Sequence, residues 1–345
     1  MPDRPRLTPA IADVRRAVRE GFEGAAAAGE LASGDLVLVA CSGGADSLAL
    51  AAAVAFEAPR FADGAGVRFG AVIVDHRMQA GSDAVAEKTA GVLRELGFEL
   101  VEVRVVSVGG TGGPEAAARI ARYEALDEAA AAHDAKFILL GHTLDDQAET
   151  VLLGLARGSG AKSLNGMAAH VGRYLRPLLG ITRATTEAFC AESDLQPWHD
   201  PMNQDEKFAR VRVRKNLMPA LEAELGPGIA EALARTAQTL REDDEVLALA
   251  AENAYKEVAT EQATQISLNV AAFTALPLAI RHRVVGLAAS VLNAPMLARV
   301  HMLAIDELVD DWHGQKPLTL PGIRVERTGE NIALKTTKTL KPGAC

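Results

Sequence analysis

Apolar residues in the first half of the chain occur in short runs that alternate with helical patterns. Four of these runs predict β-strands, and Pro177 limits a fifth because proline cannot donate to a strand ladder. The five runs are Leu36–Ala40, Val67–Val74, Phe98–Val106, Lys136–Leu140 and Tyr174–Leu179. The helical patterns between them cover residues 82–96, 114–132, 145–156 and 182–193, and Ser82 and Thr182 are expected N-caps. Strands that alternate with helices indicate an α/β fold built on a parallel sheet.

The pattern changes after about Pro219. A helical pattern rich in alanine and leucine covers residues 228–261, and residues 318–334 are typical of strands joined by turns. We therefore predict a parallel-sheet domain at residues 1–220 and a smaller, mostly helical domain at residues 221–345.

Composition narrows the class of protein. A length of 345 residues fits two domains at roughly 150 residues each. The net charge of −9 argues against binding nucleic acid over the whole surface, so any RNA contact needs a local basic patch. Three cysteines without a CxxC pair argue against a disulfide framework, a zinc knuckle or an iron–sulfur cluster. The sequence shows neither a signal peptide nor an apolar stretch of roughly 20 residues, so we expect a cytoplasmic protein without membrane contact.

A glycine-rich turn directly follows the first predicted strand. Residues Ser42–Ser47 read SGGADS, and two glycines allow the backbone to turn sharply with its N–H groups toward an anion. The next helix would add the positive end of its dipole. Asp46 would repel a phosphate directly but can hold a Mg²⁺ ion that bridges to it; alternatively, Asp46 is a helix N-cap in a simple tight turn. The turn lacks the GK[ST] of a Walker loop and the GxGxxG of a dinucleotide site.

Polar residues also follow two other predicted strands. Asp75 and His76 end the second strand, and the segment Gly141–Thr150 (GHTLDDQAET) follows the fourth. The carboxyl ends of strands line one crevice of an open α/β sheet, so these residues are expected beside the glycine-rich turn. Asp146 and Glu149 lie about one helical turn apart and suit an ammonium ligand, a metal ion or proton removal from an amine. The alternatives are a plain turn after the second strand and helix capping by the aspartates.

Arginines at two places are candidates for contact with phosphate. Arg119 and Arg122 share one face of a predicted helix with Glu115, and an arginine there could stabilise charge that develops on a phosphate. The alternative is ordinary surface ion pairing. The segment Lys207–Lys215 (KFARVRVRK) holds five basic residues and could contact RNA or ATP phosphates, or could be solvated surface.

In this order, the motifs resemble the tRNA(Ile)-lysidine synthetase family of PP-loop ATP pyrophosphatases. The resemblance spans about residues 36–222 and rests on the segments SGGADS, VDH, PEAAARIARY, GHTLDDQAETVLLGLARGSG, LRPLL, WHDPMN and KFARVRVRKNLMPALE. It implies a tRNA-modifying ligase that uses ATP and Mg²⁺ to adenylate the C2 oxygen of the wobble cytidine in tRNA(Ile) with anticodon CAU. The ε-amino group of L-lysine would then attack C2 and release AMP. The resemblance and its position along the chain also imply that the domain at residues 221–345 contacts tRNA.

The same resemblance implies roles for individual residues. Arg122 would contact the α-phosphate, Asp46 would hold Mg²⁺, and Asp146 and Glu149 would recognise or deprotonate the lysine amine. The residues expected to bind the nucleotide are Ser42, Gly43, Gly44, Ala45, Asp46, Ser47, Asp75 and His76. The residues expected to face the substrate or the tRNA are Arg119, His142, Arg210 and Arg214.

The sequence also departs from the family pattern and leaves alternatives open. Val211 stands where the family usually has asparagine, and His199 stands where an acidic residue is common. A PP-loop tRNA thiolase would use paired cysteines or a cluster, and Cys190 has no close partner in sequence. A small-molecule synthetase would release pyrophosphate without RNA, and a non-catalytic nucleotide-binding scaffold would make no AMP. The sequence does not fix the oligomeric state, and a homodimer is one alternative.

Overall fold

The computed structural model describes residues 7–64, 66–77, 79, 81–107, 114–158 and 160–337. The chain divides into two compact units, Met1–Thr239 and Leu240–Cys345. The domain boundary predicted at residues 220–221 lies inside a short helix, Met218–Leu225, in which Pro219 occupies the tolerated first turn. The pattern break after Pro219 therefore belongs to the start of a helix, and the extent of each functional domain stays a prediction.

A largely parallel sheet organises the first unit. Its strands are β1 (Leu36–Ala40), β2 (Arg68–Asp75), β3 (Leu100–Val105), β4 (Phe137–Leu140), β5 (His170–Val171) and β6 (Tyr174–Leu175). Among the described residues the strand order is β3-β2-β1-β4-β6-β5, and the pairing of β5 with β6 is antiparallel. This arrangement confirms the predicted α/β fold. The fifth predicted strand is shorter than expected, because a 3₁₀ turn replaces it from Pro177 onward.

The helices of the first unit are α1 (Pro9–Ala27), α2 (Ala45–Glu57), α3 (Phe61–Gly64), α4 (Ser82–Glu95), α5 (Pro114–Ala132), α6 (Leu144–Arg157), α7 (Arg183–Glu192), α8 (Ala209–Arg212) and α9 (Met218–Leu225). Of these, α4, α5, α6 and α7 lie close to the four positions predicted for helices. Two apolar clusters, one on each face of β1, form the core between sheet and helices. Thr182 caps α7 as predicted, since its side chain accepts a hydrogen bond from the Thr185 N–H at 3.2 Å. The prediction for Ser82 was wrong: it is the first residue of α4, and Gly81 takes the capping position with a φ of 83°.

The second unit combines helices with an antiparallel sheet. Its strands are β7 (Ala259–Gln262), β8 (Gln265–Asn269), β9 (Leu318–Leu320), β10 (Ile323–Thr328) and β11 (Asn331–Thr336). Its helices are α11 (Val270–Thr274), α12 (Leu278–Val291) and α13 (Arg299–Asp310), and α10 (Ile229–Val258) has residues in both units. The helix predicted to residue 261 ends at Val258, where β7 begins. None of the helices in the described part of the chain has both the length and the apolar character needed to cross a membrane.

Candidate active site

The glycine-rich turn joins the buried strand β1 to α2 in a tightly fixed conformation. Gly43 has a φ of 83°, and a Cβ there would lie 2.5 Å from Thr89 Oγ1, so only glycine fits this position. The Ser47 hydroxyl accepts a hydrogen bond from the Ser42 N–H at 3.2 Å and donates to the Gly44 carbonyl at 3.0 Å. Gly44 is the N-cap of α2 and contributes no side chain to the N–H groups of the first turn. The positive end of α2 therefore remains suited to an anion.

Asp46 does not cap α2, because Gly44 holds that position and Asp46 lies in the first turn of the helix. Its Oδ1 accepts a hydrogen bond from the Thr186 hydroxyl, and its Oδ2 lies 3.6 Å from Arg183 Nε. Burial raises the pKa of Asp46 to about 6, although the Thr186 hydrogen bond and Arg183 oppose this shift. The alternative of a simple N-cap is therefore not what the structure shows.

A cavity of about 330 Å³ opens beside the turn. Its walls include Ser42, Gly44, Asp75, His76, Arg122 and Trp198. This volume falls within the range of small-molecule and cofactor sites. Strands β1 and β2 thus bring two of the predicted nucleotide-binding segments to one cavity. Residues Gly43, Ala45, Asp46 and Ser47 belong to the same turn but do not line this cavity.

The end of β2 combines a local turn with an unpaired imidazole nitrogen. The buried Asp75 carboxylate accepts a hydrogen bond from the Arg77 N–H at 2.9 Å, which is the plain turn considered as an alternative. His76 Nδ1 is buried and has no hydrogen-bond partner among the described residues. Burial lowers the pKa of His76, and Arg122 lowers it further. The uncharged ring is therefore available as a donor or acceptor toward the cavity.

The two arginines of α5 face different surroundings. Arg122 lines the cavity, and burial lowers the pKa of its guanidinium, with Arg119 as a further cause. Arg119 is exposed, and its Cζ lies 5.0 Å from the centre of the Tyr123 ring. The structure thus brings Arg122 to the cavity and leaves Arg119 against Tyr123. The Glu115 side chain lies outside the described residues.

Gly141 brings the second acidic segment against the turn. A Cβ on Gly141 would lie 3.0 Å from the Asp46 carbonyl oxygen and 3.1 Å from the Ser47 nitrogen, so a side chain here would push this loop and the first turn of α2 a few tenths of an ångström apart. Two residues later, Thr143 caps α6, and its N–H donates to Asp146 Oδ2 at 2.9 Å. Helix capping, the alternative considered for the aspartates, is therefore one function of Asp146.

Three carboxylates and three arginines form a charge cluster at this edge of the sheet: Asp46, Asp146, Glu149, Arg183, Arg210 and Arg214. The Glu149 side chain is only 2% exposed. Its Oε1 lies 2.7 Å from Arg214 Nε and 3.4 Å from Arg183 Nη1, and its Oε2 lies 3.2 Å from Arg210 Nε. Both oxygens of this buried carboxylate are therefore engaged.

Sequence reasoning missed Arg183, the residue that joins the cluster together. Arg183 Nη2 lies 3.1 Å from Asp146 Oδ1, in addition to its contacts with Asp46 and Glu149. Its signal in the sequence was its position: it follows the N-cap Thr182 at the start of α7, after the fifth predicted strand. The carboxyl ends of the parallel strands meet at that edge, so an arginine at the start of the next helix lies beside the motifs.

The protonation states in this region follow from burial and from the arginines. Burial opposes ionisation of Asp146, but Arg183 and the Thr143 N–H outweigh it, and the pKa of Asp146 is lowered. Burial lowers the pKa of His142 to about 3, and its Nδ1 has no hydrogen-bond partner among the described residues. At neutral pH the structure therefore places an ionised carboxylate near a neutral imidazole.

From residue 209 onward, the basic segment Lys207–Lys215 is helical rather than extended. Residues 209–212 form α8, and a π-helical turn continues from Val213 to Leu217. Arg210 and Arg214 point into the charge cluster, whereas Arg212 donates to the backbone carbonyls of Glu206 and Lys207. Val211, one of the departures from the family pattern, is buried. The segment thus supplies two arginines to the site and leaves its lysines exposed.

Comparison with known proteins assigns the family. Residues 20–221 match the family model of the PP-loop domain, and residues 268–330 match that of the TilS substrate binding domain. A tRNA(Ile)-lysidine synthase from Leifsonia xyli subsp. xyli is 56% identical over 309 residues, which cover 89% of this chain and 92% of that protein. This chain belongs to the tRNA(Ile)-lysidine synthase family.

Other comparisons agree with membership of the tRNA(Ile)-lysidine synthase family. The tRNA(Ile)-lysidine synthase of Thermobifida fusca is 50% identical over 318 residues, 92% of this chain and 94% of that protein. Among solved structures, the U34-tRNA thiolase NcsA from Methanococcus maripaludis with its [4Fe-4S] cluster has a TM-score of 0.55 at 19% identity. It covers 68% of this chain and 80% of the thiolase chain, a likeness that shows a shared fold alone.

The family implies that ATP and Mg²⁺ bind at this site. ATP phosphates fit the turn, because the start of α2 carries no side-chain cap. Mg²⁺ is commonly held by one or two carboxylates together with phosphate oxygens and waters. Asp46 fits as such a ligand on the condition that Arg183 gives up Oδ2.

Proposed function

We propose that this chain is an ATP-dependent ligase that converts the wobble cytidine of tRNA(Ile) with anticodon CAU to lysidine. The C2 oxygen of the cytosine would attack the α-phosphate of ATP and release pyrophosphate. The ε-amino nitrogen of L-lysine would then bond to C2, lose a proton and release AMP. The observation that carries this proposal is the close approach of the phosphate-binding turn and the acidic start of α6, fixed by Gly141, in a chain that belongs to this family.

In the adenylation step, the turn and Arg122 would act on the nucleotide. The turn would hold the phosphates, with Mg²⁺ on Asp46 neutralising the leaving pyrophosphate. Arg122 lines the cavity, and its guanidinium is a fixed cation that can stabilise negative charge developing at the α-phosphate. Loss of one such group in other enzymes lowers the rate by roughly 10²–10³-fold.

In the second step, the amine must arrive at C2 as a free base. Lysine has an ordinary pKa of about 10.4, so a carboxylate is needed to bind its ammonium group and to assist proton loss. Asp146 and Glu149 are buried carboxylates on the first turns of α6, and Asp146 is held ionised by its surroundings. Arg210, Arg214 and His142 would then contact the tRNA nucleotide or its phosphates.

The test is direct transfer of label. Purified protein is incubated with ATP, Mg²⁺, labelled lysine and a tRNA(Ile) transcript with anticodon CAU, and the RNA is separated and counted. We expect label in the RNA and one AMP formed for each lysine transferred. A transcript with uridine in place of the wobble cytidine is the matched control, since it should accept no label.

Failure of transfer together with ATP cleavage to AMP without RNA would contradict the proposal and favour a small-molecule synthetase. Transfer of sulfur to the RNA would favour the thiolase alternative, although the two described cysteines, Cys41 and Cys190, are both buried. Label transfer tests the use of L-lysine, whereas Mg²⁺ dependence, a homodimeric assembly and a cytoplasmic location are parts of this proposal that need separate measurements.

A further inference from the structure

Arg183 is placed differently from the other two arginines of the charge cluster. Its guanidinium lies within 3.6 Å of all three carboxylates: Asp46, Asp146 and Glu149. Its main-chain N–H also donates to Asp145 Oδ2 at 2.7 Å, which fixes the start of α7 against α6. Arg183 therefore links the phosphate-binding turn to the acidic pair where the amine is expected.

The carboxylates of the cluster are paired with arginines before any substrate binds. Three guanidinium groups contact its three carboxylates, the Asp145 carboxylate lies on the Arg183 main-chain N–H, and the acidic pair is largely buried. Lysine enters as a cation, and a further buried charge without a partner is strongly unfavourable. The ammonium group would also need the Glu149 oxygens, which arginines already occupy. An ammonium group can therefore bind the acidic pair only if one guanidinium leaves it.

The contacts indicate which arginine leaves. Arg214 donates to both Glu149 oxygens, from Nε to Oε1 at 2.7 Å and from Nη2 to Oε2 at 3.2 Å. Arg210 Nη2 also donates to the Thr150 hydroxyl at 2.7 Å. Arg183 makes single contacts with the acidic pair, at 3.1 and 3.4 Å. Its third contact is Asp46, in the first turn of α2, where a nucleotide phosphate is expected. Of the three arginines, Arg183 is the one that contacts Asp46, so a phosphate bound at the turn would offer it a nearby alternative anion.

We propose that the Arg183 guanidinium is the internal counter-ion that the lysine ammonium group replaces, so that lysine binds the acidic pair only after a nucleotide phosphate can receive Arg183. This inference rests on the proposed function, since it takes lysine and ATP as the ligands of the two halves of the cluster. It makes Arg183 a positioning residue that sets the order of binding.

The proposal requires a coupling between the two ligands. A nucleotide that draws Arg183 toward its phosphates removes one cation from Glu149 and Asp146, so lysine affinity rises. Linkage makes the effect reciprocal, and such couplings typically amount to about 5–150-fold. Without Arg183, Arg210 and Arg214 would be the cluster arginines left at the acidic pair, and lysine would not need the nucleotide.

The experiment measures lysine binding by titration calorimetry, with and without a non-hydrolysable ATP analogue and Mg²⁺, on the full chain. In the wild type we expect the analogue to tighten lysine binding at least about fivefold. In Arg183→Gln, lysine should bind without the analogue, and the analogue should change its affinity less than about twofold. The matched control is Arg173→Gln, because Arg173 is a half-exposed arginine paired with Asp127 at 3.7 Å outside the cluster; it should keep the wild-type coupling.

Equal lysine affinity with and without the analogue in the wild type would overturn the proposal, and so would unchanged coupling in Arg183→Gln. If Arg183→Gln does not fold, Arg183→Lys keeps a cation that lacks the planar fork needed to bridge three carboxylates. Its coupling should fall below the wild-type value, and full coupling would count against the proposal. If label transfer to tRNA succeeds while the coupling is absent, this inference fails alone; if transfer also fails, the proposed function fails with it.

Discussion

Glu149→Gln is the most direct test of how the charge cluster is balanced. The substitution keeps the shape of the side chain and removes one negative charge from a position that is 2% exposed. Three guanidinium groups would then face two carboxylates, and the amide nitrogen of glutamine would point a donor at arginines that are themselves donors. Unlike Asp146, Glu149 does not cap a helix, so the change isolates the electrostatic contribution.

The expected loss of stability follows from burial. Removal of one partner from a buried ion pair costs about 3–5 kcal/mol, because it leaves an uncompensated buried charge. The cluster retains Asp46 and Asp146, so we expect the lower end, about 3 kcal/mol. The matched control is Glu128→Gln, since Glu128 pairs with Arg104 at 2.8 Å and its side chain is 72% exposed; exposed pairs contribute about 0–1 kcal/mol.

Urea unfolding followed by tryptophan fluorescence can measure this loss in the first unit. The chain has two tryptophans, Trp198 in the first unit and Trp312 in the second, so a Trp312→Phe background leaves Trp198 as the reporter. Adding Arg210→Gln to Glu149→Gln restores the charge balance, and the double variant should lose less stability than the sum of the two single changes. A loss for Glu149→Gln no larger than that of Glu128→Gln would refute the reasoning.

Three further predictions concern the phosphate-binding turn and its surroundings. Gly43→Ala should weaken binding of an ATP analogue at least about tenfold, because alanine is strained at this φ and its Cβ meets Thr89. Gly34→Ala is the control: Gly34 has the same φ of 83° but open space around it, so this change should not weaken binding of the analogue. Arg122→Ala should slow AMP formation by roughly 10²-fold in single-turnover assays with little change in ATP affinity. Burial raises the pKa of Asp46 from 3.8 to about 6. Between pH 3.8 and about 6, the native state therefore binds a proton on Asp46 that the unfolded chain does not bind. Stability should therefore rise as the pH falls from 7 to 4 by up to about 2 kcal/mol more in the wild type than in Asp46→Asn; equal pH profiles would contradict this.

The sequence predicted β1, β2 and β4 well because these strands are short, apolar and mostly buried. Strand β1 has the predicted bounds, and all five of its residues are buried. In the second unit, β7 and β8 escaped prediction because the polar segment from Ala259 to Asn269 shows few apolar positions. Only its Ile266 and Leu268 are fully buried, which is too short a pattern to distinguish a strand from the end of a helix.

The sequence also predicted which segments of the site would come together, because strand ends in a parallel sheet share an edge. It could not predict the ion pairs within the site. Arg183 meets Asp46, Asp146 and Glu149 across 137, 37 and 34 residues of chain, and no local pattern records such contacts. The roles of these residues in binding or catalysis remain predictions.

Asp46 and Asp146 share a feature that explains how one region can be both rigid and reactive. Each carboxylate uses one oxygen to fix the start of a helix: Asp46 Oδ1 accepts from Thr186 on α7, and Asp146 Oδ2 accepts from Thr143 at the start of α6. Each presents its other oxygen to Arg183. The hydrogen bonds orient the carboxylates before any ligand arrives, so a ligand that replaces Arg183 meets acceptors already in place. Substitution of either aspartate would therefore change the fold and the chemistry together, and a loss of activity in such variants does not by itself identify a catalytic role.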